Sequence, residues 1–180
     1  MTSAQKQQNT QRQHVLSAKD FKAALPPKGV LLGVDVGSKI MGLRLSNSGQ
    51  SIATPRPALV RATWAEDAVF LQQFITQNNI IGLVVGEPKT LQNQHGQAVD
   101  KILSFVDLVK KDVTNTLPLT LWDERLTTVA AEREIFTARQ GRQKRMSKKD
   151  SKQYVDSAAA TLILQGFLDF LHPTVYARPT

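Results

Sequence analysis

The stretch Val30-Leu31-Leu32-Gly33-Val34-Asp35-Val36-Gly37 constrains the fold most. A run this dense in Val and Leu reads as a strand buried on both faces, which requires helices above and below the sheet. It climbs to one carboxylate and then breaks. A desolvated, unpaired charge costs several kcal/mol, so Asp35 needs a metal ion, a cation or a set of backbone amides. Gly37 lets the chain turn or approach a ligand closely.

The remaining pattern supplies the other elements. Ser17-Ala18-Lys19-Asp20-Phe21 starts a short helix that Pro26-Pro27 stops. Gly42-Leu43-Arg44-Leu45-Ser46 alternates and predicts a strand with one wet face, on which Arg44 faces solvent or approaches nucleic acid. Asn47-Ser48-Gly49 signals a hairpin turn. Ser51-Ile52-Ala53 begins a short third strand, with Pro55 and Pro57 marking its exit and a sheet edge. Thr63 caps a helix to about Asn78, with Ala65, Val69, Phe70, Phe74 and Ile75 at helical spacing. Ile80 to Gly86 is a second continuous apolar strand, ended by Glu87-Pro88. A polar loop leads into a helix from about Gln97 to Val113, and Pro118 to Trp122 is a third buried strand ending in Asp123-Glu124-Arg125. Thr127 or Thr128 caps a helix to about Arg139, and a last helix from near Lys152 carries Val155, Ala159, Leu162, Ile163 and Phe167 on one face.

Three antiparallel strands followed by strands joined through helices predict one mixed sheet in an α/β domain. Residues 26–172 form that domain. Residues 1–25, Gln-rich at their start, form a disordered or partly helical extension, and residues 173–180 a tail.

The formal net charge of +8 favours a polyanionic partner, nucleic acid first. No cysteine is present, which excludes disulfides and thiolate zinc sites. No apolar run approaches the ~20 residues of a membrane span, and the N-terminus lacks the apolar core of a signal peptide. A cytoplasmic protein without membrane contact is the expectation.

Two buried strands end in acid, Asp35 and the Asp123-Glu124 pair, where open α/β sheets place their sites. Asp156, near the start of the final helix, sits at the border of its apolar face. A helix over the strand ends can aim it at Asp35 and Glu124. Converging carboxylates without thiolate suit a hard cation, Mg²⁺ or Mn²⁺. Each acid also has a plainer reading: a turn residue at Asp35, a surface ion pair at Asp123-Glu124-Arg125, a dipole-favoured helix start at Asp156.

Four pieces of sequence resemble the YqgF (RuvX) family of Holliday-junction-resolvase-like nucleases in the RNase H-like superfamily. They are Asp35-Val36-Gly37-Ser38-Lys39 with Gly42; Val84-Val85-Gly86-Glu87-Pro88 with Gly96; Asp123-Glu124-Arg125-Leu126-Thr127-Thr128; and Val155-Asp156-Ser157-Ala158-Ala159-Ala160. The resemblance implies an RNase H-like mixed five-stranded sheet of order 3-2-1-4-5, flanked by helices. It implies a cytoplasmic hydrolase that processes the 5′ end of pre-16S rRNA in ribosome biogenesis. It places catalytic, metal-binding acids on Asp35, Glu124 and Asp156. Strand alternation sends Asp123 and Glu124 to opposite faces, and the motif favours Glu124. Glu87 stands where the family usually has Leu. It is a further candidate acid, or a loop acid facing water, which is the reading preferred here. Arg44 replaces a usual small apolar residue.

Arg139, Arg142, Lys144, Arg145, Lys148, Lys149 and Lys152 precede Asp156. They predict a flexible clamp on phosphates that borders the acids, with Lys39 and Arg125 as further contacts. Few aromatics lie near, so backbone or shape recognition is expected rather than base stacking. The substrate expected is structured nucleic acid, ribosomal precursor RNA or branched DNA, bound by a monomer or homodimer. Two other functions compete. Asp-x-Gly-Ser-Lys resembles the first phosphate loop of actin-like and sugar-kinase-like ATPases, but that architecture needs two such domains. A nucleic-acid-binding assembly factor without cleavage is the third reading.

Overall fold

The computed structural model describes residues 14–87, 95–123 and 163–172. Its elements run α1 (Ala18–Ala24), β1 (Val30–Val36), β2 (Ile40–Ser46), β3 (Ala53–Val60), α2 (Trp64–Gln77), β4 (Ile80–Glu87), α3 (His95–Leu108) and β5 (Leu119–Asp123). A π-helical turn, Val109–Val113, extends α3. Residues 163–171 form the last described helix, α4. The five strands lie in the order β3-β2-β1-β4-β5, as the resemblance implies. β1 pairs antiparallel with β2 and parallel with β4, so the buried apolar strand is the centre of the sheet.

Strand alternation divides the core in two. Leu32 and Val34 of β1, Leu83 and Val85 of β4 and Leu119 of β5 pack with Leu71 of α2 and Ile102, Phe105 and Val106 of α3. Leu31, Val84 and Trp122 face the other way and pack with Phe21 of α1 and Ile163, Leu164 and Phe167 of α4. Glycine sets how closely that second layer sits. A Cβ on Gly33 would lie 2.7 Å from Leu164 Cβ, so α4 rests directly on the β1 backbone.

The segment expected as an N-terminal extension is helical at Ala18–Ala24, with Ser17 as its N-cap. Its Phe21 is fully buried, so this stretch packs as part of the domain. β3 is longer than expected: Pro55 and Pro57 lie within it rather than after it. Proline cannot donate to a ladder, and β3 is an edge strand whose register with β2 shifts between Met41 and Leu43, opposite the second proline.

Of the stripe expected on α2, Phe70, Phe74 and Ile75 pack against the core, and Ala65 and Val69 do not. Ala68 and Leu71 are buried, whereas Val69 is 52% exposed. Periodicity failed here because a buried position is held by an acid, Asp67, which pairs with Arg61. Thr63 does cap the helix, in a reciprocal box with Glu66. Hydrogen bonds from the Thr63 side chain and then its backbone N–H hold the Glu66 carboxyl below its ordinary range. A depressed carboxylate stabilises the fold above its unfolded pKa of 4.5, and that contribution is lost as pH falls through the lower folded value. Glu66→Gln should therefore lower the melting temperature at neutral pH, with the difference from wild type closing as the solution is acidified below that range. A difference independent of pH would show that the box does not act through the Glu66 charge.

Candidate active site

Asp35 is the penultimate residue of β1, at the carboxyl end of the central strand. It shares the face of Leu31 and Gly33, the one that α4 covers. In the sheet it lies opposite Gly42 of β2. On the other side Val34 is level with Val85, so the next step of the parallel ladder brings Gly86 beside Asp35. Gly86 is in turn level with Trp122. A row Gly42–Asp35–Gly86–Trp122 thus crosses the sheet, with strands ~4.8 Å apart. Neither strand neighbour of the carboxylate carries a side chain. Asp35 is half-buried rather than sealed in the core.

The turn after Asp35 is tightly built. A Cβ on Gly37 would sit 2.3 Å from the Ile40 carbonyl oxygen, so this glycine is required by the chain's own backbone. Ser38 and Lys39 are exposed at its tip. Arg61, just past β3, holds the turn from the side. Its Nη1 donates to the Gly37 carbonyl oxygen at 3.1 Å. Its backbone N–H donates to the Lys39 carbonyl oxygen at 2.9 Å. Arg61 Nε is 3.1 Å from Asp67 Oδ2, and the Ala62 N–H donates to Asp67 Oδ1 at 3.2 Å.

With that geometry in place, the comparison with known proteins is decisive. The family model for RuvX, described as Holliday junction resolvase, matches residues 29–170. The chain belongs to the RuvX family. A protein of Rhizobium leguminosarum bv. trifolii named "Putative pre-16S rRNA nuclease" is 38% identical over 157 residues, spanning 87% of this chain and 91% of that one. Its namesake from Roseobacter denitrificans is 37% identical over 150 residues, spanning 83% and 88%. Thermus thermophilus RuvC shares the fold, with a TM-score of 0.50 at 15% identity over 79% of this chain and 96% of that one.

Of the acids that the RuvX motifs select, Asp35 lies within the described residues. Glu124 and Asp156 lie outside them, as do Arg125, Arg142, Lys144, Arg145, Lys148, Lys149 and Lys152. Asp123 has the parity of Leu119 and falls on the face opposite Asp35. Glu87 has the parity of Leu83 and Val85 and shares that opposite face, level with Asp123. Neither is brought to the Asp35 face. The preference for Glu87 as a water-facing loop acid needs correcting, because it is 8% exposed. The β4–β5 ladder runs one residue further than expected, through Glu87 and Asp123, and keeps residue 87 in the sheet. Among the described residues no group of three or more metal-ligating side chains gathers.

Arg44 corrects a second reading. It is 2% exposed, not on a wet face. It pairs level with Gly33, two positions from the Gly42 that faces Asp35, and so shares the Asp35 face under α4. A guanidinium cannot lose its proton in a protein, so a permanent positive charge is built into that face. The hairpin register that brings Arg44 there follows from the β1–β2 turn length, which was the one usable signal. Arg61 and Asp67 were missed as well. Their only sequence trace is an Arg and an Asp on either side of the Thr63 cap.

Proposed function

We propose that this protein is a metal-dependent endonuclease that hydrolyses phosphodiester bonds in structured nucleic acid, with the 5′ end of precursor 16S rRNA as its substrate. The observation that carries the reading is the placement of Asp35. It is a half-buried acid at the carboxyl end of the central strand, flanked by two glycines, in a chain of the RuvX family. The names of its relatives supply the RNA substrate class.

The chemistry of the donor fits a hard divalent cation. Asp35 offers carboxylate oxygen, no cysteine exists in the chain, and the residues beside it in the sheet are glycines. Asp35, Glu124 and Asp156 are the residues proposed to hold Mg²⁺ or Mn²⁺. When bound, such an ion supplies Lewis-acid stabilisation of charge on the phosphodiester oxygens. The protein's own part is to orient these acids and to hold the phosphate backbone. In the reaction a water oxygen bonds to phosphorus while the P–O bond to the sugar oxygen breaks, and the water's protons pass to the leaving oxygen and to solvent. Lys39 at the turn tip, with Arg125 and the cations from Arg142 to Lys152, completes a surface suited to phosphates in a chain of net charge +8.

A DNA reading stands beside the RNA one, because the family is described as Holliday junction resolvase. The experiment compares cleavage of a precursor 16S RNA carrying its 5′ leader with cleavage of a four-way DNA junction, with Mg²⁺, with Mn²⁺ and with excess chelator. Metal-dependent cutting of the RNA at its 5′ side, abolished by chelator, is the expected result. Cutting of the junction alone makes the DNA reading correct. Binding of either without cutting leaves an assembly factor and overturns the nuclease reading.

A further inference from the structure

We propose that Arg61 is a pre-set phosphate-binding residue, taking a backbone phosphate of the substrate beside the turn that follows Asp35. The inference rests on the nucleic-acid reading above and adds a residue that no motif selects.

Three observations carry it. First, Arg61 is fixed. Its Nε is held by Asp67 Oδ2 at 3.1 Å and its Nη1 by the Gly37 carbonyl oxygen at 3.1 Å. Second, its anchor is buried while the cation is not: the Asp67 side chain is 2% exposed and that of Arg61 25%. A guanidinium presents five N–H donors, and those not spent on Asp67 and Gly37 remain for a ligand. Third, its location suits the task. The carbonyl it holds is two residues past Asp35, and its own backbone N–H is bonded to Lys39, an exposed lysine at the same turn.

The chemistry selects phosphate. The planar fork of arginine matches phosphate oxygens, and a side chain already held in one rotamer loses less entropy on binding. If the pair only stapled α2 to the β1–β2 turn, the free donors would be incidental and the charge of Arg61 would not reach the substrate.

The test measures affinity by fluorescence anisotropy without divalent metal, over a series of KCl concentrations. The probes are a labelled 5′-leader fragment of precursor 16S RNA and a labelled four-way DNA junction. Arg61→Gln keeps an N–H donor near the position of Nε, toward Asp67, but removes the charge; Arg61→Met removes both, and either one suffices if the other does not fold. On whichever probe the wild type binds, the neutral variants should bind about tenfold more weakly. Their slope of log K against log salt should be shallower by about one. Arg61→Lys should restore the slope. A neutral variant with the wild-type slope, even one with a lowered melting temperature, overturns the proposal and leaves a staple. A wild type that binds neither probe overturns the nucleic-acid reading as well.

Discussion

Asp35→Asn is expected to lower the rate of phosphodiester cleavage at least about 10³-fold, equivalent to ~4 kcal/mol of transition-state stabilisation. The substitution is nearly isosteric and removes one negative charge. Affinity for nucleic acid should be unchanged or slightly higher, because the acid repels phosphate. The loss should therefore fall on kcat and leave the binding constant, the pattern of a group whose contribution is made in the transition state. The fold should survive. Asp35 is only half-buried, and both of its strand neighbours are glycine, so no side chain beside it in the sheet must repack. Single-turnover cleavage, anisotropy and a melting curve on the same preparation separate these quantities. Asp35→Glu is the companion variant. It keeps the charge but moves the oxygens by one methylene, and it should also be strongly impaired. Full activity in Asp35→Asn would remove Asp35 from the site and with it the proposed use of this strand end.

How much of this could be read without coordinates differs from residue to residue. The central strand was legible because a two-sided core demands continuous Val and Leu, and β1 and β4 have them. The sheet order came with the resemblance, and it is the one observed. The helix cap at Thr63 was legible because it is a local hydrogen-bonding requirement. What failed was long-range pairing. Arg44 looked wet because alternation cannot tell solvent from a covering helix, and Leu164 arrives from far along the chain. Asp67 broke the apolar stripe of α2 because its partner, Arg61, lies outside the helix. Glu87 was read as leaving the sheet because of the proline after it, while its ladder partner Asp123 keeps it in the sheet.

The same logic changes the account of Asp35. Asp35 was expected to need a metal ion, a cation or a set of backbone amides. Arg44 is buried on the same face of the sheet, two positions along β2 from the Gly42 that lies opposite Asp35. Of the two readings of Gly37, a turn or a close approach to a ligand, the turn is the one the backbone requires, since the Ile40 carbonyl occupies the space a side chain would need. The sheet row sets Gly42 and Gly86 on either side of Asp35, and the Arg61 side chain holds the turn by its bond to the Gly37 carbonyl oxygen.

The layer that carries α4 onto this face depends on one ring. Phe167 packs edge-on against Phe21 and against Trp122, each with centroids 5.3 Å apart, and against Phe170 at 6.1 Å. It is fully buried, so truncation leaves a cavity bounded by α1, β5 and α4. Phe167→Ala should cost ~3–5 kcal/mol. Against the ~5–15 kcal/mol that separates a typical domain from its unfolded state, that is a large fraction. Denaturant unfolding should show a lower midpoint with an unchanged slope. Phe170→Ala is the control: Phe170 is 42% exposed, and its loss should cost clearly less. The two substitutions also separate fold from chemistry. Phe167→Ala should retain cleavage in the cold, where enough protein stays folded, and lose it on mild warming. Asp35→Asn should stay inactive at every temperature while remaining folded. A Phe167→Ala protein within ~1 kcal/mol of wild type would mean that α4 is held by Leu164 on Gly33 rather than by the aromatic cluster.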